Sequence, residues 1–332
     1  MNNEPLLKVT NLKKLFQVRS GIVESIFSRK KKRFLHAVDG ITFNINYGET
    51  LGIAGESGCG KTTTGMLLAL LETPTDGTIM FKGVNILSLK KRELQDFRRS
   101  VQMIFQDPYE SLDPRLKAFD AVYKPLAINH IGTSRNERAK MVDEMLEEVE
   151  LKPVKMFRDK YPHELSGGQR QRVAIARAMV VKPDFIVADE PVSMLDASVK
   201  VGIMDLMSKL RKDFDTTYLF ITHDLSVSRY LSDRIMIMYL GVIVEIGFSE
   251  DIISNSQHPY TKLLMSSVPV PDPTYDRKRM INSGEIPSPI DLSPGCRFQS
   301  RCLYSKEKCK QAQPRLQEIG KNHFVACHLH DQ

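Results

Sequence analysis

Two glycine-bearing segments of this chain could hold phosphate. Gly55-Glu56-Ser57-Gly58-Cys59-Gly60-Lys61-Thr62 has the G-x-x-x-x-G-K-T spacing of a phosphate-binding loop, with Thr63 next in line. Glycines at these positions let backbone N–H groups turn towards phosphate oxygens. Lys61 reaches the β and γ oxygens, and the Thr62 hydroxyl can ligate Mg²⁺. Ser166-Gly167-Gly168-Gln169 reads as a second anion cradle, small residues opening a helix that starts at Gln169 and runs on as QRQRVAIARAMVV. A helix N-terminus offers donors without intrahelical partners. One nucleotide does not need two cradles in one chain, so the pair points to a nucleotide held between two subunits.

Carboxylates follow at a matching distance. Phe185-Ile186-Val187-Ala188-Asp189-Glu190 is an apolar run ending in two acids. Downstream of a phosphate loop, Asp189 is expected to hold Mg²⁺ through water. Glu190 is expected to orient and polarise the attacking water, in a reaction catalysed mostly by positioning and charge stabilisation. Gln106 follows the strand-like Val101–Phe105, and its amide can reach the same Mg²⁺ and water. His223, in Ile221-Thr222-His223-Asp224, closes another strand. Cys59 reads as an inert filler of a variable loop position.

The elements that must position these residues alternate. Leu6–Val9, Ile41–Ile45, Thr50–Ala54, Val101–Phe105, Phe185–Ala188 and Tyr218–Thr222 read as strands, with Thr50–Ala54 feeding the phosphate loop. Helical patterns lie between them, which implies a mainly parallel, covered sheet. From about 107 to 181 the pattern is helical and reads as a subdomain grafted onto that sheet. Beyond His258 the composition shifts: Pro269, Pro271, Pro273, Pro287, Pro289 and Pro294 make an irregular stretch before a cluster of cysteines. This reads as a small appended module over 258–332, not a continuation of the sheet, after a first domain over 1–257.

The bulk properties are those of a globular protein: 332 residues, 42% hydrophobic and 26% charged. No apolar run approaches the roughly 20 residues needed to cross a bilayer. The longest, Ile235 to Val244, reads as one buried strand. Met-Asn-Asn-Glu-Pro has no signal-peptide pattern, so the chain is expected in the cytosol. The net charge of +7 includes the run Arg29-Lys30-Lys31-Lys32-Arg33. That run could face an anionic membrane surface, a nucleic acid or simply solvent.

The pairing of Gly55–Thr62 with Leu165-Ser166-Gly167-Gly168-Gln169 resembles the ATP-binding cassette (ABC) superfamily. That resemblance implies an α/β P-loop NTPase fold, a nucleotide-binding domain with a mainly parallel sheet, an antiparallel β part and a helical subdomain. It implies ATP and Mg²⁺ as cofactors, with Thr62, Gln106 and Asp189 on the metal. Gln106 would couple the γ-phosphate to rotation of the helical subdomain, and His223 would contact that phosphate. Asp196, in Ser193-Met194-Leu195-Asp196, would organise a dimer interface. Phe16 is the best match to the aromatic that stacks on adenine, although it could equally be a core residue.

Further segments resemble the oligopeptide/dipeptide importer branch: Gln106-Asp107-Pro108-Tyr109-Glu110-Ser111-Leu112-Asp113-Pro114-Arg115, His258-Pro259-Tyr260-Thr261, Gly284–Pro289 and Pro294-Gly295-Cys296-Arg297-Phe298. Gln169-Arg170-Gln171-Arg172 and the long loop before Ala37 resemble its second, F-type ATPase subunit. This resemblance implies a peripheral protein on the cytoplasmic side of the cell membrane. It would power import of peptides, or in some members of oligosaccharides or nickel. Its partners would be a sister ATPase, two transmembrane permease subunits and, indirectly, a substrate-binding protein, with no nucleic acid expected. A soluble ABC ATPase of DNA repair or translation fits less well, because there is one phosphate loop and no long coiled coil between the motifs.

Cys296, Cys302, Cys309 and Cys327 are separated by five, six and 17 residues. Four thiolates suit tetrahedral Zn²⁺ or an iron–sulfur cluster, and unliganded thiols are the remaining alternative. The spacing lacks the close pairs of a zinc ribbon. Resemblance to related subunits implies a 4Fe–4S cluster that pins the extension.

Overall fold

The computed structural model describes residues 4–18, 33–267, 287–290 and 292–331. Of the basic run only Arg33 falls inside these. Pro269, Pro271, Pro273 and Gly284-Glu285-Ile286 lie outside the described residues.

The chain forms two compact units, one from residues 1–6, 45–50 and 81–221, the other from residues 7–44, 51–80 and 222–332. In the first, β6 (Val101–Ile104), β7 (Phe185–Asp189) and β8 (Thr217–Ile221) run parallel, with Ala188 opposite both Ile104 and Phe220. β7 and β8 are buried at every position. A parallel strand covered on both faces needs such an unbroken apolar run. Helices Pro108–Ser111, Ala118–Ile128, Arg135–Glu148 and Gly167–Met179 lie between β6 and β7 in the chain.

In the second unit, β2 (Arg33–Ile45), β1 (Leu7–Val18) and β4 (Asp76–Phe81) lie side by side in that order. From Ile41 to Ile45 the side chains of β2 alternate buried and exposed, as read from the sequence. The other sheet of this unit has the order β11 (Gln317–Gly320), β12 (His323–Val325), β10 (Val242–Phe248), β9 (Arg234–Tyr239), β3 (Thr50–Ala54). β3 (Thr50–Ala54) pairs in parallel with β9 (Arg234–Tyr239), and β9 pairs antiparallel with β10 (Val242–Phe248).

The run Ile235–Val244 is therefore a hairpin and not one strand. Leu240 at φ 42° and Gly241 at φ 81° make the two-residue turn, and two consecutive left-handed residues are what such a hairpin requires. Periodicity could not reveal the turn, because Leu240 is as apolar as its neighbours. Gly241 donates to the Cys59 carbonyl at 3.0 Å, so the turn braces the phosphate loop.

The C-terminal extension corrects a second expectation, because it does continue the sheet. β12 (His323–Val325) pairs with β10, Glu245 opposite Val325, and β11 (Gln317–Gly320) pairs with β12. Three residues are too short a strand to show periodicity. Tyr260 and Phe298 are buried among Ile235, Ile237, Tyr239 and Val244 of the hairpin, with Cys296 and Cys302 packed against the same cluster. Burying each of these two rings contributes about 2–3 kcal/mol.

Glu245, wholly buried in β10, ties these parts together. It accepts from the backbone N–H groups of Gln257 and His258 and bonds His323 at 2.8 Å. Burial alone would raise its pKa, but the bonds from His323 and the two amides outweigh it and hold the carboxyl below its ordinary value. His258 in turn accepts the Tyr260 N–H at 3.0 Å. Burial drives the His258 pKa from 6.5 down to about 4, against the pull of Glu245. The native state thus binds fewer protons than the unfolded chain between those values, and stability falls as pH drops through that window. The loss reaches about 3 kcal/mol. Unfolding midpoints measured in urea from pH 7 to pH 5 should fall with acidity. His258→Asn, which keeps an acceptor for the Tyr260 N–H, should flatten that slope; an unchanged slope would exclude His258 as the source.

Candidate functional site

β3 delivers the chain into the loop Gly55–Thr62, and the helix Lys61–Leu68 leaves it. Gly55 holds φ 154° and Gly60 φ 107°, and a Cβ at either would strike a carbonyl, of Met238 at 2.3 Å or Ala37 at 2.2 Å. Only glycine fits these close approaches. Beside Gly58 a Cβ would meet nothing within 4 Å, so the loop opens there onto free space. Lys61 is buried and donates to the Gly55 carbonyl at 2.7 Å and the Glu56 carbonyl at 3.0 Å. Its hydrogen bonds among the described residues go to the loop itself. An ammonium held over a glycine cradle, with the Thr62 hydroxyl exposed one residue on, fits a Mg²⁺-bound phosphate chain. The Cys59 thiol is buried, and burial raises its pKa despite Lys61, which leaves it protonated and unreactive.

In the same unit Thr222 donates to the Ile53 carbonyl at 3.1 Å, which brings the exposed His223 alongside the end of β3. Asp224 then caps the helix Leu225–Leu231. Phe16 lies in β1 and is 38% exposed, with the Lys14 ammonium 4.8 Å from its ring centre. It is therefore not a core phenylalanine, and an exposed ring is available for stacking.

The acids lie in the other unit. Asp189 ends β7 and is buried. Glu190 is left-handed at φ 45°, a conformation costing a non-glycine residue about 1–3 kcal/mol and concentrated at functional positions. Its N–H donates to the Ile221 carbonyl at 2.9 Å, and its carboxylate accepts from the Gln106 amide at 3.0 Å. Gln106 thus grips the candidate base directly, a contact that sequence did not anticipate. Gln106, Asp107, Arg177 and Asp189 line a cavity of about 590 Å³. The Arg177 guanidinium donates to the Ser111 carbonyl, and burial lowers its pKa.

The second cradle starts two residues earlier than expected. Ser166 is the N-cap and the helix runs from Gly167 to Met179. A capping box closes the end: Gln169 N–H donates to the Ser166 hydroxyl, and Ser166 N–H to the Gln169 side chain at 3.0 Å. The N–H groups of Gly167 and Gly168 are the remaining first-turn donors. A Cβ on Gly168 would sit 2.6 Å from the Val199 side chain, so small size there is a packing requirement. Asp196, exposed, is the N-cap of the helix Ala197–Phe214. Arg170 and Arg172 have structural partners: Arg170 stacks 3.8 Å from the Tyr109 ring centre, and Arg172 pairs with Glu150 at 2.7 Å.

The four distal cysteines gather in one region of the extension. Cys296 N–H donates to the Cys309 carbonyl at 2.7 Å. Burial pushes the Cys296 thiol up to about 11, with Cys309, Cys327 and Cys302 adding to it. Cys302 and Cys327 are raised by burial first and by neighbouring thiols after it. Among the described residues no group of three or more His, Cys, Asp or Glu side chains is placed to hold a metal ion.

Sequence reasoning missed the residues by which the extension touches the phosphate loop. Tyr260 accepts the Glu56 N–H at 2.8 Å, and Arg301 grips the Glu56 carboxylate through two bonds of 2.7 and 2.9 Å. Arg297 pairs likewise with Asp39. The signal available was the adjacency of each arginine to a cysteine, which carried no direction.

Comparison with known proteins agrees with this geometry. Residues 38–193 match the ABC transporter family, and residues 244–309 match the family described as oligopeptide/dipeptide transporter, C-terminal region. A putative oligopeptide transport ATP-binding protein of Bacillus subtilis, YkfD, is 46% identical over 332 residues, covering 99% of this chain and 97% of that one. The dipeptide transport ATP-binding protein DppF of Haemophilus influenzae is 44% identical, with 98% and 97% covered. Among solved structures, a dimeric ATP-binding cassette in a post-hydrolysis state with ADP and Pi matches at TM-score 0.63 and 32% identity. It covers 73% of this chain and 98% of that one. A cassette of a Clostridium perfringens ABC transporter complex matches at TM-score 0.63 and 27% identity, covering 76% of this chain and 92% of that one. The chain belongs to the ATP-binding cassette family, as an ABC-type ATPase that carries the C-terminal region of oligopeptide/dipeptide transporters.

Proposed function

We propose that this chain is the ATP-hydrolysing subunit that powers a membrane importer of dipeptides or oligopeptides. The observation that carries the reading is the buried Lys61 ammonium bonded to the carbonyls of a glycine cradle. An isolated buried cation is costly, and a polyphosphate is the partner such a cradle accommodates. The full-length relatives named for oligopeptide and dipeptide transport supply the substrate class. In this reading Lys61 and the loop N–H groups bind the phosphates. Thr62, Asp189 and Gln106 hold Mg²⁺, which supplies charge neutralisation when bound. Glu190 orients the attacking water, and Gln106 fixes the rotamer of Glu190 through the bond at 3.0 Å. His223 contacts the γ-phosphate and Phe16 stacks on adenine.

The domain boundaries expected at 257 and 258, and a helical subdomain over about 107–181, belong to the same reading. So does assembly as a heterodimer with a sister ATPase, in which Ser166–Gln169 serves the sister's nucleotide and Asp196 lines the interface. Two transmembrane subunits fed by a substrate-binding protein would place the chain at the cytoplasmic side of the membrane. In the assembled transporter, Glu190→Gln should keep MgATP binding while phosphate release falls at least about 100-fold. Normal steady-state turnover by that variant would refute the role of Glu190.

The extension has its own part in the reading, with Cys296, Cys302, Cys309 and Cys327 as ligands of a 4Fe–4S cluster or of Zn²⁺. What speaks for this part is placement: Cys296 N–H donates to the Cys309 carbonyl at 2.7 Å, and Cys302 packs in the same cluster as Cys296. Protein purified without air should absorb near 400 nm and carry iron. Zinc in elemental analysis with no such band would assign the site to Zn²⁺, and neither metal would leave four free thiols.

A further inference from the structure

The extension reaches the phosphate loop through Glu56, a loop residue whose side chain has no assigned role in holding phosphate. Its carboxylate is a negative charge built into an anion site, and by itself it would repel the phosphates that the loop N–H groups attract. Arg301 covers it with a two-bonded guanidinium at 2.7 and 2.9 Å, the geometry in which such pairs are strongest. The Arg301 side chain is 8% exposed and that of Glu56 24%, so solvent screens the pair little. Arg301 is also fixed from behind, bonding the Tyr239 hydroxyl at 3.3 Å and lying against the rings of Tyr239 and Phe298. The bond from Glu56 keeps the guanidinium firmly charged. Tyr260 completes the grip: its buried ring packs 4.6 Å from that of Tyr239, and its hydroxyl accepts the Glu56 N–H.

We infer that Arg301 and Tyr260 are positioning residues for nucleotide binding, by which the C-terminal extension holds the phosphate loop in shape and neutralises Glu56. The inference rests on the ATP-binding reading of Gly55–Thr62. It gives the extension a function within its own chain: the cysteine-bearing segment, with Cys302 adjacent to Arg301, sets the affinity of the loop. Two contacts converge on Glu56, one on its backbone and one on its side chain, so both the path of the loop and its local charge depend on the extension.

The test is the affinity of the full-length chain for MgADP, measured by calorimetric titration. Lys61→Ala serves as the control for the site itself. A wild-type chain that binds no MgADP, or a Lys61→Ala variant that binds as well, would sink the site reading and leave Arg301 unimplicated. With that control in place, Arg301→Ala should weaken binding about ten-fold, because an uncompensated carboxylate then faces the phosphates. Arg301→Lys should recover part of the loss through its point charge. In a Glu56→Gln background, Arg301→Ala should change affinity less than about two-fold, since no charge remains to neutralise. The same loss in both backgrounds would make Arg301 a packing residue and overturn the inference, as would wild-type affinity in Arg301→Ala. Should Arg301→Ala fail to fold, Tyr260→Phe keeps the buried ring and removes only the acceptor hydroxyl. Wild-type affinity in both Tyr260→Phe and Arg301→Gln, which removes the charge, would equally overturn it.

Discussion

The second unit is organised around the need to keep the backbone of Gly55–Thr62 in a shape that an isolated peptide would not hold. Turning successive N–H groups towards an anion requires left-handed or otherwise rare glycine conformations. Such a loop survives only if its surroundings over-determine it. Here β3 fixes where it begins and the helix Lys61–Leu68 where it ends, and the Gly241 turn holds Cys59 from behind. Tyr260 and Arg301 hold Glu56. Lys61, folded back onto the loop carbonyls, places a buried positive charge within the loop itself.

The same logic governs the acids Asp189 and Glu190, by other means. β7 is apolar from Phe185 to Ala188 and buried at each of its positions, and its acid Asp189 stands at the strand's end. Glu190 then breaks the strand by adopting a left-handed backbone, anchored by its N–H on Ile221. Its carboxylate is committed to Gln106. A carboxylate whose rotamer is set by a neighbouring amide presents a single orientation, which is how positioning can become rate.

The extension shows how a tail poor in regular structure becomes ordered. It lends Tyr260 and Phe298 to a cluster built on β9 and β10, adds β12 and β11 to the edge of the sheet, and helps satisfy the buried Glu245 with the His258 N–H and His323. The His-Pro-Tyr segment is a junction in this scheme. The neutral His258 aligns the helix start by accepting the Tyr260 N–H, and the Tyr260 hydroxyl carries the contact on to the phosphate loop.

What could be read from the chain alone is what depends on neighbouring residues. Gly55–Thr62 declares itself because loop geometry follows from a handful of consecutive backbone angles. Phe185–Glu190 does so because a covered strand needs an unbroken apolar run, and the segments after Gln106 and from His258 carry the resemblance to a transporter branch. The start of the helix at Gly167 was misjudged by two residues, because whether Ser166 caps depends on side-chain bonds and not on residue type. The tertiary structure alone decided the hairpin hidden in Ile235–Val244, the continuation of the sheet into the extension, and the grip of Gln106 on Glu190. It also decided the clamp between Glu56 and Arg301, 245 residues apart in sequence. The physical reason is common to all of these. Each depends on pairing across the fold, where a three-residue strand or a single arginine has no local pattern and acquires meaning only from what packing brings opposite it.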